Sequence, residues 1–234
     1  MYAIDSPITT EKHGSQIEEA YWRLRQEIID GSLKPTEKLG IDFLRQKYGF
    51  GASGIREALS RLVSDGLAES EPQRGFRVSP VNREELRDIT ASRQVIEVEA
   101  LRQSIKYGTF EWEARVVAAR YTLERFETSM VDDSPEVIMR WEQANRHFHM
   151  VLISDCPLRW LLRFTEQLYD QSQRYRHRTA LRRSVPRQGL SNDHAELVEA
   201  TLKHDAERAC SILTHHIGNL AQIAEITIFG TETL

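Results

Sequence analysis

The chain has 234 residues, of which 40% are hydrophobic, and it carries a formal net charge of -4 with a pI near 6.1. That length suffices for one large domain, or for a small and a medium domain that each bury a core. The acidic balance excludes a protein that coats nucleic acid nonspecifically, because such binding depends on a large basic surface.

The sequence shows no signal for export or membrane insertion. No apolar run approaches the roughly 18 residues of a membrane span, and the amino terminus lacks a basic-then-apolar pattern. Cys156 and Cys210 lie far apart and outside any Cys-x-x-Cys pattern, which favours reduced packing residues. We therefore expect a cytoplasmic protein with no membrane partner.

The first eighty residues predict three helices. Apolar residues recur at helical spacing over 16–30, and shorter helices are expected at 41–47 and 52–64. Only the glycine-containing link "YGFG" separates the second helix from the third, which is the signature of a helix-turn-helix.

After the third helix the sequence period changes to that of strands. "GLAES" and "GFRVS" indicate two strands around the turn "EPQRG". Three helices followed by a hairpin predict a winged helix-turn-helix domain over residues 1–80. Its third helix would enter the major groove of DNA, while Arg74 and Arg77 on the wing would reach phosphates or the minor groove.

Positive charge concentrates around this motif. Residues 38–62 contain five basic side chains against two acidic ones. Arg45 and Lys47, at the end of the second helix, belong to this group and are candidate DNA contacts. Contact with DNA would therefore be confined to this region, which agrees with the net negative charge of the whole chain.

A long ordered motif in this domain resembles the GntR family of bacterial transcription regulators. The resemblance rests on "IREALSRLVSDGLAESEPQRGFRV" and on "IIDGSLKPTEKL" upstream of it. It implies that Arg56 contacts DNA from the recognition helix, that Ser53 and Gly54 lie against the backbone or bases, and that Gly75 forms the wing tip. The family often has an arginine where this chain has Ala52, so its operator is expected to differ.

Residues 81–234 read as helical throughout, without strict alternation. Six helical segments are expected, near 83–106, 110–129, 134–154, 157–181, 190–203 and 205–228. The fold class is therefore mainly α: an amino-terminal winged helix-turn-helix plus a carboxy-terminal six-helix bundle. The bundle resembles the FCD-type ligand-binding domain of the FadR branch of the GntR family, in its VanR-like variety. The resemblance implies effector binding, metal binding and dimerisation in residues 81–234.

The stretch "NRHFH" raises the question of a metal site. Asn145 and His149 are four residues apart and share a helical face. The family pattern supplies an acid and a histidine from this helix and further histidines from two later helices, which His194 and His216 match. Three imidazoles and one oxygen suit Zn²⁺, and also Ni²⁺ or Mn²⁺. Any one of these histidines alone would be read as a polar core residue.

Asn145 stands where the family has an aspartate. A neutral amide leaves the charge of a dication uncancelled, which should weaken metal binding and favour an anionic partner. Arg93, in "RQVIE", matches the family's R-x-x-[LI]-E and could hold a second anionic group of that partner by a bidentate contact. Three residues of a later helix could line the same cavity, or could instead be solvated or at a subunit interface: Arg174, Tyr175 and Arg178.

The leading hypothesis is a ligand-responsive repressor of a catabolic operon. It would bind palindromic operator DNA as a homodimer or higher oligomer and be released by a small carboxylate. A metal-dependent hydrolase, or another metalloenzyme built on the helical domain, is the rival, because three-histidine sites also activate water. We expect no enzyme, since the sequence has no Glu beside the ligands as in His-Glu-x-x-His. The acidic pI disfavours an architectural DNA binder.

Overall fold

A computed structural model describes residues 16–129, 134–180 and 187–231. Contacts between residues divide the chain into two compact units, with the boundary between Pro80 and Val81. Among the described helices, none is both long enough and apolar enough to cross a membrane.

The first unit is a three-helix domain with a two-stranded hairpin. Its elements are α1 (Gln16–Ile29), α2 (Ile41–Tyr48), α3 (Ala52–Ser64), β1 (Ala68–Glu71) and β2 (Gly75–Val78). The strands pair antiparallel, with Ala68 opposite Val78 and Glu71 opposite Gly75. The predicted winged helix-turn-helix fold is confirmed.

The apolar spacing of the helices explains the core of this unit. Leu24 of α1, Leu44 of α2 and Leu59 of α3 are fully buried together. Between α2 and α3, Gly49 adopts a φ of 76° and donates its backbone N–H to the Arg45 carbonyl. That left-handed conformation, which favours glycine, ends α2 and allows the short turn into α3.

The second unit contains six described helices. They are α4 (Arg83–Tyr107), α5 (Phe110–Ser129), α6 (Pro135–Leu152), α7 (Arg159–Ala180), α8 (Arg187–Leu202) and α9 (Ala206–Phe229). The predicted helical domain is confirmed. Helix α8 begins at Arg187, three residues before the predicted start at residue 190. The predicted links between the second and third helices of this unit and between the fourth and fifth include residues 130–133 and 181–186, which lie outside the described residues.

Side-chain caps and apolar packing fix the helices of this unit. Asn82 accepts a hydrogen bond from the Glu85 N–H at the start of α4, and Asp205 accepts one from the Arg208 N–H at the start of α9. Helix α4 packs on α7 and α9, α5 packs on α6 and α8, and α8 packs on α9. Helices α6, α8 and α9, which carry the candidate ligands, therefore meet inside one bundle.

Candidate metal centre and DNA-binding surface

Three buried histidines from three helices converge inside the bundle. His149 of α6, His194 of α8 and His216 of α9 are 4%, 0% and 1% exposed. Their ring centroids lie 5.4, 5.3 and 4.7 Å apart. One ring nitrogen from each lies within 4.8 Å of the others, which is a spacing that one metal ion can bridge.

Carboxylates orient two of the three rings. The Nδ1 atom of His194 lies 2.7 Å from Oε1 of Glu127, and Nδ1 of His216 lies 3.2 Å from Oδ2 of Asp193. A histidine that donates Nδ1–H to a carboxylate presents the lone pair of Nε2 to the other side, as metal-binding histidines do.

The Nε2 atoms of His194 and His216 are buried and have no hydrogen-bond partner among the described residues. Buried polar atoms in native proteins are nearly always paired, so each of these acceptors needs an explanation. A metal ion bound to both atoms supplies one. The residues present therefore fit a divalent cation.

Burial keeps at least two of the rings neutral at neutral pH. Burial, together with the charges of His216 and His194, holds the pKa of His149 well below its usual value. Burial also lowers the pKa of His216 to about 4, against the opposing hydrogen bond to Asp193. A neutral imidazole is the form that ligates a metal, so these residues need not lose a proton at neutral pH.

Asn145 lies one helical turn before His149 and is 3% exposed. Its Nδ2 donates to the Tyr169 hydroxyl at 2.7 Å. That hydrogen bond leaves the amide oxygen as the atom that could act as a ligand. The role of Asn145 as a fourth metal ligand stays a prediction.

Two arginines flank Tyr169 beside the histidines. The Arg93 guanidinium lies 5.1 Å and the Arg176 guanidinium 4.2 Å from the centroid of the Tyr169 ring, which itself lies 6.0 Å from that of His149. Both arginines are buried, and their positive charges help to lower the pKa of His149. Arg93 therefore lies beside the histidines, and its contact with an effector stays a prediction.

On the DNA-binding unit, the structure exposes several of the predicted contacts. Ser53 and Arg56 are exposed on α3, and Arg74 and Gly75 are exposed at the hairpin turn. Gly75 has a φ of 91°, which suits the predicted wing tip. Gly54 requires a correction, because it is buried and a Cβ there would lie 3.7 Å from Cγ1 of Ile17. It packs against α1 and is not a DNA contact.

The other cationic candidates already have partners within the domain. Lys47 lies 2.7 Å from Glu27, and Arg45 lies 3.3 Å from Asp42. Arg77 lies 2.9 Å from Glu71 and also donates to the Thr36 carbonyl. These three sites are predicted to contribute less to DNA binding than Arg56 and Arg74, because contact with phosphate would require exchange of an existing partner.

Comparison with known proteins identifies the family. The model of bacterial regulatory proteins of the gntR family matches residues 16–78, and the FCD domain matches residues 88–219. The HTH-type transcriptional regulator BphR of Paraburkholderia xenovorans is 39% identical over 229 residues, covering 98% of this chain and 92% of BphR. The chain is a GntR-family regulator with an FCD domain.

Other relatives agree with this assignment. The HTH-type transcriptional repressor GlaR of Escherichia coli is 33% identical over 203 residues, covering 85% of this chain and 91% of GlaR. The solved structure of E. coli McbR/YncC has a TM-score of 0.71 at 22% identity, covering 90% of this chain and 97% of that one. This second similarity concerns the fold. Regulators of this family bind DNA and usually act as dimers, and FCD domains often bind metal.

For this GntR-family regulator, the sequence prediction on α7 needs correction. The Tyr175 hydroxyl bonds to Glu85 and Asn82, and Arg174 lies 3.8 Å from Glu85. Both residues thus face the start of α4 and do not join the histidines. Successive helical residues are about 100° apart, so Arg176 projects about 200° from Arg174. Arg178 shares the side of Arg174, and it is half-buried.

Sequence reasoning also missed the residues that surround the ligands. Arg176, Tyr169, Glu127 and Asp193 were not singled out. Asp193 precedes His194, and Arg176 lies seven residues after Tyr169, a spacing that returns to the same helical face. That spacing is the only sequence signal that could have selected Arg176 within "RYRHR". Glu127 lies on a different helix from its histidine, so no local pattern reveals it.

Proposed function

We propose that this regulator is a cytoplasmic repressor that binds a palindromic operator as a homodimer and is released by a small carboxylate bound beside a divalent metal. The buried Nε2 atoms of His194 and His216, which have no hydrogen-bond partner among the described residues, carry the proposal. A bound metal would pair both atoms, whereas a core without a metal would leave them unpaired. Zn²⁺ suits three imidazoles best, with Ni²⁺ or Mn²⁺ as further candidates. The six described helices fit the VanR-like variety of FCD domain.

The effector class follows from the chemistry beside the histidines. When bound, the metal would supply positive charge and an open coordination position that a carboxylate oxygen can fill. His149, His194 and His216 would hold it, with Asn145 as the oxygen ligand. Arg93 and Arg176 keep two guanidinium groups near that position. An anionic group is therefore the expected ligand.

Repression is supported by the name of one relative, and a palindromic operator is supported by the geometry of dimers. GlaR is named a repressor. A symmetric dimer presents two recognition helices to two half-sites, so its operator is expected to be palindromic. An effector that binds better to the arrangement of the dimer that does not fit the operator would lower the affinity for DNA. By reciprocity, DNA would lower the affinity for the effector by the same factor.

A thermal-shift screen tests the proposal. Organic acids are added to the protein loaded with Zn²⁺ and to the protein treated with EDTA, because a ligand that binds the native state raises its melting temperature. Acids that stabilise only the loaded protein are then added to a complex with DNA selected from random sequences. Release of that DNA supports the proposal, and stabilisation without release contradicts the regulatory role.

A metal-dependent hydrolase is the alternative that the three-histidine set itself raises. Catalytic zinc sites also use three protein ligands and an open position. Glu127 and Asp193 are hydrogen-bonded to His194 and His216, so these two carboxylates orient the rings and are not free to act as a general base. Turnover of esters or amides by the loaded protein would support this alternative.

Arg74→Ala is expected to weaken binding to all DNA sequences to a similar extent. Arg74 is exposed at the hairpin turn, where a side chain meets phosphates, which carry no sequence information. Loss of one phosphate contact should reduce the slope of log affinity against log salt by about one. Gel shifts on selected and random DNA at several salt concentrations measure both effects. An unchanged slope would remove Arg74 from the phosphate contacts.

Asn145→Asp is expected to change metal and effector affinity in opposite directions. The carboxylate adds a charged ligand, so Zn²⁺ should bind more tightly, while the reduced net charge should weaken a bound anion. Titration calorimetry with Zn²⁺, then with the best acid from the screen, measures both. Asn145→Ser, which adds no charge, is the control. Effector affinity that stays level or improves would contradict the proposed role of the amide.

A further inference from the structure

The exposed face of α3 carries one acidic side chain near its middle, that of Glu57. Ser53, Glu57, Ser60 and Ser64 are exposed and follow one another at spacings of three and four, so they share one side of the helix. The opposite side is buried in the core of the first unit. Ser60 and Ser64 donate their hydroxyls to carbonyls of α3 itself. Ser53 and Glu57 therefore hold the side-chain groups of this face that remain for an outside partner.

The carboxylate of Glu57 has no hydrogen bond or ion pair within the described part of the chain. Arg61, four residues later, is the position from which a helix normally supplies a basic partner. The Arg61 guanidinium instead lies 4.0 Å from the centroid of the Tyr21 ring. By contrast, Glu27 and Glu71 of the same unit each pair with a basic side chain. The Glu57 carboxylate is therefore available to a group outside these residues.

A carboxylate on the DNA-facing side of a helix is unfavourable unless it accepts a hydrogen bond from a base. Duplex DNA carries one negative charge per about 1.7 Å of its axis, which repels an anion. In the major groove, guanine and thymine present only acceptors, and adenine presents an acceptor beside its amino group. Cytosine presents the N4 amino group alone, which is the group that carboxylates accept from. The chemistry of Glu57 therefore matches cytosine among the four bases.

We propose that Glu57 recognises a cytosine in each operator half-site and thereby sets part of the operator specificity. Glu57 lies in the second turn of α3, and the amino-terminal residues of a recognition helix are those that contact base edges. Its carboxylate accepts from the cytosine N4 amino group and repels the acceptors of the other bases. The inference rests on the operator binding in the proposed function, and it does not depend on the metal or on the acid.

Selection of binding sites from random DNA, with the parent protein and with Glu57→Gln, tests the inference. Each half-site selected by the parent should contain one position that requires cytosine, where another base weakens binding about 5- to 100-fold. Glu57→Gln should move the preference at that position to adenine, because an amide pairs with both the amino group and N7 of adenine. Gel shifts with four operators that differ only at this position measure the preference. Selected sites without such a cytosine, or the same preference in Glu57→Gln, overturn the inference.

Glu57→Ala separates base recognition from simple repulsion. It should bind random DNA a few-fold more tightly, because a negative charge is lost, while the four operators become nearly equal in affinity. Glu19→Ala is the control, because Glu19 is exposed on α1 and its removal changes the charge of the same unit equally. The control should keep the preference for cytosine.

The outcomes distinguish this inference from the proposed function. A Glu57→Ala variant that binds all four operators more tightly by one common factor, or a control that loses the preference for cytosine, would overturn the inference. An operator that is bound through Glu57 but is not released by any acid contradicts the proposed regulation alone. If the parent selects no DNA sequence, both are overturned.

Discussion

His194→Ala is expected to lower the affinity for Zn²⁺ by more than about 100-fold, because it removes one of the three imidazole ligands. Loss of an outer hydrogen-bond partner alone typically costs 10- to 100-fold. His194 is fully buried, and Glu127 fixes its Nδ1 so that Nε2 faces the other two rings. Competition against a chromophoric chelator at pH 7 measures the affinity.

The control for this variant lies on α6. His147 is exposed, two residues from the ligand His149, so His147→Ala removes an imidazole without touching the site. It should leave Zn²⁺ affinity unchanged. Melting curves in EDTA distinguish loss of a ligand from loss of the fold. If both variants bound Zn²⁺ as the parent does, the metal would have to be placed elsewhere in the chain.

The helices could be predicted because their signal is local. Apolar residues at spacings of three and four place α1 and α3 within one residue of their observed ends, and Gly49 ends α2 by a conformation that glycine favours. It was harder to assign which residues of each helix face the core and which face outward. The family resemblance places Gly54 against DNA, yet Gly54 is buried on the side of α3 that faces Ile17 of α1. Only the packing of two helices reveals that role.

The metal site could be predicted only in part. The spacing of Asn145 and His149 places them on one face, but two residues do not make a site, and the family resemblance was needed to select His194 and His216. The carboxylates could not be found, since hydrogen bonds between α5 and α8, and between α8 and α9, have no sequence period. On α7, three alternate arginines offer two opposite faces, and only the position of Tyr169 shows that Arg176 is the one at the site.

The DNA-binding residue with the largest expected effect is Arg56. It is exposed on α3, the helix that enters the major groove in winged helix-turn-helix domains. Its guanidinium can bridge a base edge and a phosphate, whereas the packed faces of α3 are carried by Ile55 and Leu59. Removal of the guanidinium should therefore affect DNA contacts and leave the core of the domain intact.

Arg56→Ala is accordingly expected to weaken operator binding by about 1 to 3 kcal/mol and to reduce the preference for operator over random DNA. Arg140→Ala is the matched control, because Arg140 is an exposed arginine on α6 paired with Glu136, so it removes the same charge from the other unit. Gel shifts with selected and random DNA give both affinities, and a melting curve verifies the fold. Unchanged operator affinity would show that α3 does not read the operator through Arg56. A uniform loss on both DNAs would instead assign Arg56 to the phosphates and leave base recognition to other residues of α3.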